Sequence, residues 1–376
     1  MPPTPALPPW TGRHFVGIDE NGMGPRLGPL VVTSVLARAA EPSVGLDLAT
    51  KKPRGALAKR IGDSKRLVAF DDSTLGEAWA RALAQRGPTA PPTEAPATAS
   101  MAATNATARP AATAMPTATA MPAATAAFAP ATPAELLRAI VLDSEGELRA
   151  PCPSHHVDLC WGDAGEALVS SAADVARCAK DLDRLAAKGL DVVRVRVAIV
   201  CTRRLNDAIH LGRSRFDVDL HTMERLTLAA RADAGEDVLA LCGKVGGFDF
   251  YADRFGPLAG RLHTVLGEGR ARSDYQVPGV GRLSFLRDAE EGHILIGLAS
   301  LVGKWVRDHL MRRIVRFHRA HVPDLPDVSG YHDPASTRFI ADTKLVRKKL
   351  NVDAHCFERK SLQGKGASTQ GPRSQP

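Results

Sequence analysis

The run GIDENGMGPRLGPLVV, residues 17–32, decides how this chain is read. An apolar strand ends on two adjacent carboxylates, Asp19 and Glu20, and passes at once into a turn containing Gly22, Met23, Gly24, Pro25, Gly28 and Pro29. Neighbouring strand residues point to opposite faces, so only at a strand end can a turn bring both side chains toward one cation. Gly22 and Gly24 remove side chains where a backbone amide could approach a phosphate or a ribose. Taken alone, the run is an ordinary solvated hairpin end, where Asp, Glu, Asn and Gly are common.

Outward from this run, His14–Asp19 and Pro29–Ala37 are strand-like and predict a hairpin. Val192–Cys201 is a third predicted strand, its Arg194 and Arg196 alternating with valines, and Asp237–Cys242 is a short apolar fourth. From His293 to about Ala320 the apolar residues recur at helical spacing. Short β-branched runs alternating with helical ones predict an α/β fold. Residues 87–133 are nearly all Ala, Thr and Pro and read as a disordered insertion; 1–12 and 358–376 read as disordered ends. The ordered domain is then 13–86 with 134–357.

The 376 residues are 44% apolar but only 5% aromatic, so the core rests on aliphatic side chains. A formal net charge of +8 predicts attraction to polyanions, because cations near phosphates displace condensed counterions. Six scattered cysteines make no disulfide framework in a chain of this length. No run approaches 18 apolar residues, and the first residues do not form a secretory signal. These features exclude disulfide-rich secreted and membrane-spanning classes and predict a cytoplasmic monomer without a membrane partner.

Residues 17–32 resemble the first motif of the type 2 ribonuclease H family, in which Asp-Glu is followed by Gly-Arg-Gly-Pro and a second Gly-Pro. Three further stretches are similar to family motifs in the same order. GDSKRL (62–67) carries Lys65; LASLVGKWVRDHLM (298–311) carries Ser300, Lys304, Arg307 and Asp308; SGYHDPAST (329–337) carries Tyr331 and is closer to the archaeal and eukaryotic branch. The resemblance implies a ribonuclease H-like mixed sheet flanked by helices, with a C-terminal helical part. It implies a metal-dependent endonuclease acting on RNA–DNA hybrids or on single ribonucleotides in duplex DNA. Tyr331 would read the junction, and Lys65, Lys304 and Arg307 would lie near phosphates together with Gly22, Met23, Gly24 and Ser300.

In that family four carboxylates surround two divalent ions, magnesium or manganese, which suit an oxygen-only site. The resemblance assigns two of them to Asp19 and Glu20, and the fourth to Glu290, with Asp288 the alternative if the loop differs by two residues. The acidic run DAEE also suits a helix N-terminus. The third carboxylate ends a strand in the family, and here the corresponding position is read as Cys242, a poor ligand for magnesium. Asp249 or Asp253 could reach in from the next loop. The two-metal site is thus read as degraded, and a catalytically impaired hybrid-binding protein is the alternative reading. Met23 replaces the family's Arg, at the cost of at most one phosphate contact.

Two other constellations stand out. CPSHHVDLC (152–160) offers Cys152, His155, His156 and Cys160, but four ligands so close together would strain to form one tetrahedron. A half-site, or a loop with two core cysteines, is the expectation. Arg203, Arg204, Arg213, Arg215 and Arg225 fall at helical spacing within 201–226 and could track a nucleic-acid backbone or form a solvated, ion-paired face. Tyr275 and Trp305 read as core aromatics.

Overall fold

The computed structural model describes residues 8–70, 72–87, 129–154, 158–246 and 248–360. The segments 1–7, 88–128 and 361–376, which hold most of the expected disordered stretches, lie outside the described residues, as do His155 and His156.

Seven strands form one mixed sheet in the order β3-β2-β1-β4-β7-β6-β5. They are β1 (His14–Asn21), β2 (Leu30–Ala39), β3 (Leu190–Val200), β4 (Val238–Gly243), β5 (Thr264–Gly267), β6 (Arg272–Val277) and β7 (Gly281–Leu286). β1, β2 and β3 pair antiparallel, β4 runs parallel to both β1 and β7, and β7, β6 and β5 are again antiparallel. This is a mixed α/β sheet flanked by helices, the class that the alternating strand-like and helical runs predict. The four expected strands all form; the β5–β7 meander was not anticipated.

The helices that matter here are α1 (Thr74–Ala84), α2 (Ala172–Ala187), α3 (Thr202–His210), α4 (Arg215–Ala234), α5 (Ile294–Arg319), α6 (Pro334–Asp342) and α7 (Ala354–Phe357). The pleat divides the sheet's side chains between two layers. Phe15, Val31, Val35, Leu239 and Leu241 pack with α1, α2 and α5, whereas Val16, Ile18, Leu30, Val32, Ala240 and Cys242 pack with Phe216, Leu220 and Met223 of α4. A third cluster, including Leu27, Met311, Phe339 and Phe357, seats the C-terminal helices on the far end of α5. Trp305 and Tyr275 are fully buried, as expected.

α5 lies directly on β1 at Gly17, where any side chain would collide with the backbone of Leu295 and come within 2.5 Å of the Ile296 amide nitrogen. No helix among the described residues is long and apolar enough to cross a membrane. The helix Pro133–Ile140 begins inside the expected insertion, with the Thr132 side chain accepting from the Glu135 amide at 3.2 Å. Gly17→Ala should destabilise the fold by about 1–3 kcal/mol through overpacking, measured by urea denaturation; an unchanged midpoint would mean that α5 is not seated on β1.

Candidate active site and nucleic-acid interface

The hairpin end places its residues by the same pleat. Asp19 is almost fully buried on the α5 face, where Asn21 Nδ2 donates to its Oδ2 at 3.4 Å. Glu20 points the other way and accepts the Met23 amide at 3.2 Å. Burial raises the pKa of Asp19 well above the ordinary carboxylate range, and the charges of Glu290 and Glu20 push it further. Burial likewise raises Glu20, against the pull of Lys65 and the Met23 amide.

Two adjoining clefts meet at Glu20. The acidic one, about 380 Å³, is lined by Asp19, Glu20, Asp288 and Glu290, with Gly243, Lys244 and Asp249 opposite. Glu290 acts on Asp19 electrostatically. Asp288 sits at a left-handed backbone angle with its side chain 85% exposed, 3.6 Å from Arg287. Of the two alternatives, Glu290 is therefore placed to join Asp19 and Glu20, and Asp288 is a rim residue. The second cleft, about 510 Å³, gathers Gly22, Met23, Gly24, Lys65, Lys304, Arg307 and Tyr331.

Arginines brace the glycine turn. Gly22 has φ +95°, and a side chain there would strike the Arg307 guanidinium. Arg307 is buried, donates to the Ser329 carbonyl at 2.8 Å and lies 4.9 Å from the centre of the Tyr331 ring. Arg359, not singled out in the sequence, donates to the carbonyls of Gly28 at 2.8 Å and Gly22 at 2.5 Å. Arg215 adds a bond to the Met23 carbonyl at 3.3 Å. The guanidinium missing at Met23 is thus not missing from the turn, although these arginines face its carbonyls.

Several expectations need correction. Ser300 does not line either cleft; it is buried, donates to Ser64 Oγ at 3.0 Å, and its hydroxyl also acts on Asp19, pulling that pKa down against burial. Lys304 is tied to Asp308 at 2.5 Å. Four of the five arginines in 201–226 are engaged within the protein: Arg203 with Asp353, Arg204 with the Glu147 carbonyl, Arg215 with the turn and Arg225 with Asp143. That face is not a free basic track. Asp249 reaches the acidic cleft but is held by Lys244 at 2.5 Å, and Asp253 lines neither cleft.

The main correction concerns Cys242. It is fully buried among the α4-side apolar residues, on the face opposite Asp19. The residue beside Asp19 is Gly243, where a Cβ would stand 3.3 Å from Asp19 Oδ1. A third carboxylate beside Asp19 would thus have to stand at Gly243, which has no side chain. The sequence placed the gap one residue early, because a strand's facing is settled only by its register.

One acid was not anticipated at all. Asp219 of α4 is 0% exposed, and neither of its carboxylate oxygens has a hydrogen-bond partner. Burial raises its pKa well above normal, and the Glu20 and Asp19 charges add to that. In sequence it is one acid on a helix rich in charge, with nothing to mark it.

No protein-family model matches the chain, and no curated protein matches it. The chain is similar to ribonucleases HII and HIII of known structure. It matches a chain of the PCNA:RNase HII complex from Archaeoglobus fulgidus at 14% identity, covering 94% of this chain and 97% of that one, with a TM-score of 0.36. It matches a point variant of Bst-RNase HIII at 12% identity, covering 93% and 67%, also with a TM-score of 0.36. Similarity at this level assigns no side chain; the placements above rest on geometry.

The oxygen-only donor set of Asp19, Glu20 and Glu290 fits a hard divalent ion. Among the described residues no three His, Cys, Asp or Glu side chains are already drawn around one point. With Gly243 supplying no ligand, the residues fit one ion better than two.

Gly243→Asp should tighten Mn²⁺ binding about tenfold, roughly 1.4 kcal/mol, by calorimetric titration, while lowering stability without the ion. Cys242→Asp should leave Mn²⁺ affinity unchanged and cost more than about 3 kcal/mol by burying an unpaired charge. The reverse pattern would restore Cys242 as the missing ligand. For Asp219 the raised folded pKa means that the folded chain holds more protons than the unfolded one, so this acid makes stability fall as pH rises above the unfolded value. Asp219→Asn should flatten that decline above the unfolded carboxylate range; identical pH profiles would show that Asp219 is not perturbed.

Proposed function

We propose that the chain is a metal-dependent endonuclease that engages RNA paired with DNA, or a single ribonucleotide in duplex DNA, across the two adjoining clefts. The observation that carries this reading is their junction at Glu20, where buried acids on one side meet a glycine turn, a lysine and an exposed tyrosine on the other. Asp19, Glu20 and Glu290 would hold Mg²⁺ or Mn²⁺, which supplies activation of the attacking water and charge stabilisation at the phosphate.

The chain's own residues account for binding. Gly22 and Gly24 let a sugar–phosphate backbone approach the turn. Lys65 stands at the rim, exposed, and would meet a phosphate directly. Tyr331, 40% exposed and backed by Arg307, offers an aromatic face for stacking beside the ribose. Because Asp19 and Glu20 have raised pKa values, protons compete with the ion, and metal binding should strengthen as pH rises.

A second reading is favoured by one specific observation, the absent carboxylate at Gly243. It makes the chain a binder of RNA–DNA duplexes with little or no turnover.

The deciding assay is cleavage of a duplex carrying one ribonucleotide, and of a full hybrid, with Mg²⁺ or Mn²⁺. Metal-dependent cutting that falls at least about a thousandfold in Asp19→Asn supports the enzyme. Salt-dependent binding without cutting, weakened in Tyr331→Ala, supports the binder. Undiminished cutting by Asp19→Asn would refute the proposed site.

A further inference from the structure

Four of the six cysteines converge at a place remote in sequence from the clefts. Cys152, Cys160, Cys201 and Cys356 all line one cavity of about 20 Å³, while Cys178 and Cys242 sit in the apolar cores. All six are free thiols. A space of that size admits about one water-sized body, which suits a single ion and no larger ligand.

The four come from three separate parts of the chain. Cys152 and Cys160 flank a loop, Cys201 is the N-cap of α3 directly after β3, and Cys356 lies in α7. Local spacing cannot account for their meeting. The strain expected of four ligands inside 152–160 disappears, because that stretch needs to supply only its two cysteines.

The surroundings also fit thiolates. Four sulfur anions around a divalent ion leave an excess of negative charge; burial raises the Cys160, Cys201 and Cys356 thiols, and Arg203, Arg204 and Arg313 stand near enough to oppose it. Arg203 also donates to Asp353 at 2.7 Å, and Asp353 caps α7. Such an outer ring of cations and hydrogen bonds orients ligands and offsets their charge. The thiols line the cavity without being drawn to one point, so binding has to pull them in by side-chain rotation.

We propose that Cys152, Cys160, Cys201 and Cys356 form a tetrathiolate site for zinc. Tetrahedral coordination by four cysteines is a closed, structural arrangement with no open position for chemistry. Its role follows from what it joins. The ion would clamp Cys152, Cys160 and α3 to α7, and two residues after α7 comes Arg359, whose guanidinium holds the Gly22 and Gly28 carbonyls. Zinc here would anchor the strap that braces the glycine turn.

The full chain, purified under reducing conditions from zinc-supplemented medium, should carry about one zinc per molecule by plasma mass spectrometry. Cobalt added after chelation should produce the sulfur-to-cobalt charge-transfer and intense d–d bands of a tetrahedral thiolate site. Cys201→Ser and Cys356→Ser should retain less than about a fifth of the zinc, with Cys178→Ser unchanged. The cobalt spectrum is read on the unmutated chain, so it stands even where a variant fails to fold. Zinc below about a tenth of an equivalent with no thiolate–cobalt spectrum, or disulfides among these four cysteines by mass spectrometry in the purified chain, would overturn the proposal.

Discussion

β1 must be bare at Gly17. Because its backbone rests on α5 there, the strand cannot slide or rotate without driving a side chain into the helix. Two residues on, the same face carries Asp19, delivered beside the turn of α5 that holds Ser300, while Glu20 is turned toward the other layer and the glycine turn. The two acids therefore face opposite layers for a geometric reason, the two-residue period of a strand fixed against one helix, and meet only in the acidic cleft. Asp19 faces the Glu290 side, and Glu20 spans both clefts.

Buried acids elsewhere in the protein show what a satisfied one looks like. Glu166 is sunk against α5 but receives His309 at 2.9 Å, Arg313 at 2.7 Å and Arg316 at 2.8 Å, and these partners outweigh burial and hold its pKa far below the ordinary range. Glu224 receives the Gly256 and Leu258 amides. Asp219 receives nothing, and Asp19 has one long bond from Asn21. An unpartnered buried carboxylate costs free energy that folding does not recover. Asp219 at α4 and Asp19 at the end of β1 carry that cost where, under the proposed function, a positive partner would offset it.

What could be read from the sequence was what local chemistry encodes. The strands flanking Gly22–Pro29, the long helix carrying Lys304 and Arg307, and the joint presence of Lys65 and Tyr331 near the turn follow from periodicity and from motif order. What could not be read depended on facing and on distant contact. Cys242 and Gly243 differ by one residue in sequence and by a whole face of the sheet in space. Arg359 lies more than three hundred residues from the turn that it braces. Asp219 and the pair Cys201 and Cys356 carry no local pattern, since their meaning lies in which elements β3 and α4 happen to bring together. Ser300 matched a motif position but is buried, bonded to Ser64 and acting on Asp19 from behind the cleft, a placement that only the fold reveals.

The change at β4 alters more than a ligand count. On the cleft face of β4, Gly243 contributes no charge, and the next residue, Lys244, brings an ammonium to the cleft wall, held by Asp249 at 2.5 Å and by the Gly269 carbonyl at 2.6 Å. Its side chain is 6% exposed, so water screens it poorly. Relative to a four-acid cleft, a cation entering here meets a weaker negative field, and an incoming phosphate meets less repulsion. Under the proposed function the first effect would loosen the ion and the second would ease the approach of a nucleic acid. Under the proposed function, binding would thus survive a loss of negative charge at Gly243 and Lys244 that would slow hydrolysis.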